Sequence, residues 1–235
     1  RASAQMVSYE AALGLSLGAV LLVSGTLSTA GIVNMQSSIG NWNIVATGFV
    51  PFVIFLIAAT AELNRPPFDL VEAEQELVGG FNTEYSSIRF ALFFLAEFMN
   101  TVTMSALIVT LFFGGPQPIA IGSTVLDIPL IPNAIEGTVW LLLKVLVFLY
   151  IYVWFRATLP RFRYDQLMDL GWKILIPGSL AWFMLLAAQR VGRDAGWDQV
   201  VVTLVTALVL IGGYGLLLAA QHVSRVNREK DGASF

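Results

Sequence analysis

The sequence predicts an all-α integral membrane protein with six transmembrane helices and both ends in the cytoplasm. Three observations predict it: the apolar composition, the length of the apolar stretches and the placement of Lys and Arg. Of 235 residues, 57% are hydrophobic and 12% charged, with a mean hydropathy of +0.75. That is too apolar for a soluble domain, and the chain is long enough for several spans. Six stretches reach a spanning length of roughly 17 to 25 residues: Ala11 to Val33, Ile44 to Ala61, Ile88 to Phe113, Gly137 to Phe155, Trp172 to Gln189 and Val200 to Ala220. Ten of the Lys and Arg residues fall on the side that holds both termini (Arg1, Arg65, Arg89, Arg156, Arg161, Arg163, Lys173, Arg225, Arg228 and Lys230), against Arg190 and Arg193 on the other. The excess of cations marks the cytoplasmic side. We therefore expect one polytopic domain over residues 1–235, with an acidic cytoplasmic loop at 62–87 and a cytoplasmic tail at 222–235.

In the first stretch Gly14 and Gly18 form a G-x-x-x-G face, followed by Gly25, which suits close helix packing. Pro51 in the second and Pro177-Gly178 in the fifth predict kinked or broken helices. The Pro- and Gly-rich connection from Gly114 to Glu136 reads as an outside loop. The tail from His222 is polar and extends or frays beyond the membrane. The opening Arg1 in place of Met leads us to expect a chain that lacks its N-terminus.

Composition also excludes chemistry. With no cysteine and a single histidine, His222, the chain cannot build a thiolate zinc site, an iron–sulfur cluster or a bis-histidine haem. A redox role would require a mobile carrier reduced by a partner. The net charge of −3 comes with no basic patch, so no nucleic acid is expected and membrane lipid is.

Charge is instead concentrated between the second and third stretches. From Ala61 to Glu84 six carboxylates (Glu62, Asp69, Glu72, Glu74, Glu76 and Glu84) face one cation, Arg65. Pro66-Pro67 stiffens the entry to a short helix, with Asp69 as N-cap, Glu72 as its capping-box partner and Gly79-Gly80 as the stop. Asp69, Glu72 and Glu76 then share a stripe, while Glu74 points elsewhere. Repulsion along the stripe raises proton affinity, which suits proton exchange near neutral pH. A solvated, well-capped connector helix is the alternative.

Glu97 lies about nine residues into the third stretch, roughly 13 Å deep. An unpaired charge there costs at least about 2.5 kcal/mol, so a partner or a proton is expected. Asn100, Thr101 and Ser105 continue its face as a polar seam. Lys144 is the buried cation available to it from the fourth stretch. With Glu10 and Glu62 these residues form carboxylates at graded depths, either a proton relay or groups that hold helices in register. The connection Arg156 to Asp165 adds Arg156, Arg161 and Arg163 on the same side, placed to pair with the loop acids, grip a partner or anchor the topology.

The wording of the loop carries a resemblance. Ala61 to Leu77, then Gly80, Phe81, Glu84-Tyr85 and Phe90 to Glu97, resemble the signature of the membrane subunit that joins the two arms of respiratory complex I. That family comprises the H subunit of bacterial NADH:quinone oxidoreductase and its mitochondrial counterpart, the first of the NADH dehydrogenase membrane subunits. Ala4 to Glu10 and Pro160 to Met168 resemble it as well. The resemblance implies further N-terminal spans, a quinone (ubiquinone or menaquinone) as substrate, and NADH, FMN and iron–sulfur clusters held by partner subunits. It implies a quinone-side loop of Glu62, Arg65, Phe68, Asp69, Glu72, Glu74, Glu76, Phe81 and Glu84. It also implies a proton path through Glu10, Glu62 and Glu97, to which Lys144 is added here as a relay member. The partners implied are the peripheral-arm subunits at the quinone site and the adjacent small membrane subunits, in a bacterial cytoplasmic membrane. Two rivals share features. The membrane subunit of energy-converting hydrogenases carries a Thr-His-Leu-Glu-like element where this chain has Gln75-Glu76-Leu77. A stand-alone ion or solute transporter accounts for broken helices and buried charges, but leaves the acidic loop unexplained.

Overall fold

The structure is a computed structural model that describes residues 2–68, 85–121, 124–125, 133–160 and 162–230. Among the described residues the regular elements are helices apart from one antiparallel pair, β1 (Ala120–Ile121) and β2 (Thr124–Val125). Two compact units divide the chain, Arg1–Phe183 and Met184–Phe235. Among the described residues, four helices are long and apolar enough to cross a membrane: Met6–Ser24, Ile88–Phe112, Ile135–Thr158 and Tyr164–Asp194.

Helix α1 (Ala2–Ser24) ends earlier than its apolar stretch does. Gly25 takes the left-handed conformation, φ 64°, and its amide donates to Leu21 O at 2.8 Å. That closes the helix with the residue type that adopts positive φ without cost. The apolar residues beyond it form a separate short helix, α2 (Thr29–Met35). A 3-10 turn, Ile39–Asn41, leads into α3 (Asn43–Ala46).

The second stretch is broken rather than kinked. Between α3 and α4 (Val50–Glu62), Gly48 and Phe49 both have positive φ, 82° and 65°. A Cβ on Gly48 would lie 2.7 Å from the Trp182 ring, so the break is also a site of close packing. Pro51 sits in the first turn of α4, where its missing N–H costs nothing. The 13 residues of α4 rise only about 20 Å, short of the roughly 30 Å hydrocarbon layer. This is why α4 does not count among the long helices.

Helix α5 (Ile88–Phe112) and helix α6 (Asn133–Thr158) match the third and fourth stretches. The connection that follows contains a helix of its own, α7 (Tyr164–Asp169), started by a hydrogen bond from the Arg163 amide to Gln166 Oε1 at 3.1 Å. Helix α7 passes through a π segment, Leu170–Leu175, into α8 (Ile176–Asp194). The wider turn comes immediately before Pro177, which has no N–H to give to an i−4 carbonyl, so the helix shifts register instead of breaking. Helix α9 (Gln199–Lys230) continues through the start of the expected tail.

The first unit is built on the packing of α1 against α4, with α5 and α6 alongside. Its main core gathers Val20, Phe52, Phe55, Ile108, Phe112, Val145 and Phe148. Of the glycine face on α1, Gly18 is the member in close packing. A Cβ there would meet the Phe183 ring at 3.3 Å, whereas Gly14 faces open space. In the second unit an apolar groove between α8 and α9 is lined by Met184, Val191, Trp197, Val201 and Val205, with Asp198 as its charged member. Asp198 caps α9 through a 3.0 Å bond from the Val200 amide.

Candidate functional site

Polar side chains converge at two ends of the first unit. At the loop end, α4 stops at Glu62 and the chain turns through Asn64, φ 49°, into Arg65. Because α4 is short, this turn lies deep enough for Arg65 Nη1 to reach Glu97 Oε1 on α5 at 3.1 Å. The Arg65 guanidinium also lies 4.9 Å from the centroid of the Phe98 ring. The two side chains are 13% and 22% exposed, so water screens the pair only in part and it counts for more than a surface pair. Arg65 Nε is buried with no hydrogen-bond partner among the described residues.

Glu97 therefore does not pair with Lys144. The expected seam does continue from it. Thr101 and Ser105 are buried, with Thr101 Oγ1 donating to Glu97 O at 3.1 Å and Ser105 Oγ to Thr101 O at 2.8 Å. Asn100 faces outward.

The loop is seated by aromatic contacts. Phe68 is buried, lies 6.4 Å from Tyr9 of α1 and stacks on Phe162 at 5.6 Å with the rings 14° apart. The Phe162 amide donates to Pro67 O at 3.0 Å, and Leu167 of α7 closes the cluster. This joins α1, the start of the acidic loop and the Arg-rich connection at one end. Glu62 is half-buried and Glu10 exposed. Arg163 pairs with Asp165 of its own connection at 3.4 Å, and Arg156 is exposed at the end of α6. Asp69, Glu72, Glu74, Glu76, Phe81, Glu84 and Arg161 lie outside the described residues.

The far end holds Lys144, 7% exposed. Its Nζ donates to three backbone carbonyls, Phe113 O at 2.8 Å, Gly115 O at 3.0 Å and Gln117 O at 2.8 Å, and lies 5.3 Å from the Trp42 ring. An ammonium has three donors and no acceptor, so this cage fits the charged form. A neutral amine would turn a lone pair on one carbonyl. Gln36, fully buried, serves the same helix end. Its Nε2 donates to Thr110 O at 3.2 Å and Leu111 O at 3.3 Å, and its Oε1 accepts from Gly114 N at 3.0 Å and Asn43 N at 3.2 Å. Asn43 Nδ2 adds a 2.8 Å bond to Leu111 O. Thr110 O and Leu111 O, among the last carbonyls of α5 that no helical amide can reach, are thus met by Gln36, just after α2, and by Asn43 of α3, while Lys144 of α6 takes the carbonyls of the turn beyond.

Sequence reasoning missed Gln36, Asn43 and Trp42, which sit in a connection between apolar stretches with nothing to mark them. It also missed Arg65 as the partner of Glu97, since an unbroken second span would have put Arg65 at the surface.

Comparison with known proteins bears on the same residues. A family model described as NADH dehydrogenase matches residues 1–187, which include both polar ends. The NADH-quinone oxidoreductase H subunit of Frankia alni is 54% identical over 193 residues, 81% of this chain and 41% of that protein. Its namesake in Frankia casuarinae is 49% identical over 91% of this chain and 48% of its own length. In Streptomyces avermitilis the figures are 46%, 98% and 49%. The chain spans about half the length of these relatives. With the family model covering most of the chain, Arg65, Glu97 and Lys144 included, the chain belongs to the NADH dehydrogenase family.

Proposed function

We propose that the chain is the part of a proton-translocating NADH:quinone oxidoreductase that couples the quinone chamber to a proton path in the membrane. The observation that carries this reading is the partly buried Arg65–Glu97 pair. It ties the first turn of the acidic loop to the head of a buried polar seam on α5. A carboxylate held by a cation, with a hydroxyl-lined face beyond it, is able to trade that cation for a proton when Arg65 withdraws. The quinone-side loop comprises Glu62, Arg65, Phe68, Asp69, Glu72, Glu74, Glu76, Phe81 and Glu84, and the path runs through Glu10, Glu62 and Glu97. Phe68, stacked on Phe162 and packed near Tyr9, is the hinge that transmits loop position to α1 and α7.

The chain supplies no redox centre under this reading. Quinone, ubiquinone or menaquinone, is the substrate, while NADH, FMN and iron–sulfur clusters belong to partner subunits. The relatives bear the name of that enzyme's H subunit. The setting is a bacterial cytoplasmic membrane, with six spans, cytoplasmic ends and the loop facing the peripheral arm. Gentle solubilisation of the native membrane and purification through the full-length protein tests this. Co-purifying flavin and iron–sulfur subunits with NADH:quinone activity are the expected result. Hydrogenase subunits, or no stable partner, would overturn it.

A further inference from the structure

The polar seam that starts at Glu97 does not reach the far end of α5. It stops at Ser105. One turn on, Ile108, Val109 and Phe112 are fully buried, and Phe112 belongs to a packed group of aromatic rings. Phe52 lies 5.5 Å from Phe112 and 5.3 Å from Phe113, and Phe113 lies 5.2 Å from Phe148, all edge to face. These side chains offer a proton nothing to bind. Beyond them Lys144 spends all three ammonium donors on carbonyls that belong to the α5 end and its turn. No donor is left to move, and the negative end of the α5 dipole holds the charge in place.

A proton carrier needs a group that changes partners. Lys144 has the opposite properties, being a cation fixed by backbone where the seam would otherwise open. Fixed positive charge in a narrow low-dielectric passage excludes protons and small cations. We propose that Lys144 and its carbonyl cage form an electrostatic seal, with the Phe52–Phe112–Phe113–Phe148 layer beneath it, that closes the far end of the proton path. Protons that reach Glu97 then leave sideways rather than straight across. The inference rests on the proposed proton path.

The test uses the intact assembly containing the full-length protein, reconstituted in liposomes that carry an internal pH dye. Passive proton entry under an imposed membrane potential is measured without NADH, so the readout is separate from quinone reduction, whose absence would count against the proposed function instead. Lys144→Met is expected to raise proton entry by at least about tenfold, since one charge at close range in such a medium sets a barrier larger than a factor of ten requires. Lys144→Gln, which keeps two donors but no charge, should do the same, whereas Lys144→Arg should stay as tight as the parent. Unchanged entry in Met and Gln variants would overturn the seal. Equal leaks in all three would also overturn it, by making packing rather than charge the barrier. If Arg assembles and neither neutral variant does, the charge is a folding requirement and the proposal is likewise rejected.

Discussion

The two ends of α5 each meet a cation withdrawn from solvent, Arg65 partly and Lys144 almost wholly, and the two are held in opposite ways. At the loop end, among the described residues, Arg65 pairs with the carboxylate of Glu97, has a ring beneath it and keeps a buried Nε without a partner. At the far end Lys144 has three carbonyl acceptors and no donor to spare. Burial alone therefore does not mark a charge that trades protons. What separates them is whether the partner can be exchanged. A side-chain carboxylate at the mouth of a loop can be neutralised by a proton, whereas a ring of backbone carbonyls cannot.

The largest effect expected from this contrast is at Glu97. Glu97→Gln keeps the size of the side chain and removes the exchangeable charge. Proton-coupled quinone reduction in the intact assembly should fall by about a hundredfold or more, the low end of the range for losing a positioned proton-transfer group. Assembly should survive, because the amide still accepts from Arg65. Normal coupled turnover would make the Arg65–Glu97 pair structural and erase the distinction between the two ends.

A smaller functional effect belongs to the acidic loop. Glu72→Gln or Glu76→Gln should lower quinone reductase activity a few-fold without loss of assembly, since each removes one member of a set of interacting acids. Unchanged turnover in well-assembled variants would leave the loop as a plain connector.

The far end should respond in stability instead. Gln36→Leu strips Thr110 O, Leu111 O and the amides of Asn43 and Gly114 of their side-chain partner. Stranding buried polar groups costs roughly 1 to 3 kcal/mol each where no water replaces the bond. With Asn43 still serving Leu111 O, we expect a net loss of about 3 kcal/mol, read as earlier thermal inactivation of the assembly. Gly114→Ala should cost less, about 1 to 2 kcal/mol, for a side chain at φ 73° whose Cβ meets Gln36 O at 3.1 Å. Should either variant instead abolish proton coupling at full stability, the far end would be part of the pathway.

How much of this could be read beforehand differs between the ends for physical reasons. Helix α5 was legible to within a residue, Ile88 to Phe113 against Ile88–Phe112, because its largely apolar run holds no Gly or Pro to stop a helix. The stops at Gly25 and Gly48 were not, since hydropathy is blind to backbone sign and both glycines lie inside apolar runs. That blindness hid the loop-end pair. Counting residues 44–61 as one helix lifts Arg65 to the surface, while the break at Gly48 and Phe49 leaves α4 short and lets Arg65 sink to the level of Glu97. The far-end cage was invisible for another reason. Its acceptors are backbone carbonyls, which every residue possesses, so no side-chain pattern announces them. The acid-rich loop stands out in the sequence as wording and as charge, whereas the contacts of Phe68 with Tyr9 and Phe162 leave no mark there.

The smallest expected effect calibrates the rest. Lys173 and Asp169 form an ion pair with N···O 2.7 Å, closer than Arg65 to Glu97, one turn apart around the π segment. By distance alone it should be the stronger of the two. Both side chains are largely exposed, at 67% and 63%, so water already solvates each charge and salt screens the remainder. Asp169→Asn should therefore leave thermal inactivation and coupled turnover within experimental scatter. Removing Glu97 acts in a less screened setting, on a carboxylate whose partner is also mostly buried. If Asp169→Asn proved as damaging as Glu97→Gln, distance would matter more than burial and exchangeability, and the ranking of charges offered for this helix bundle would have to be reversed.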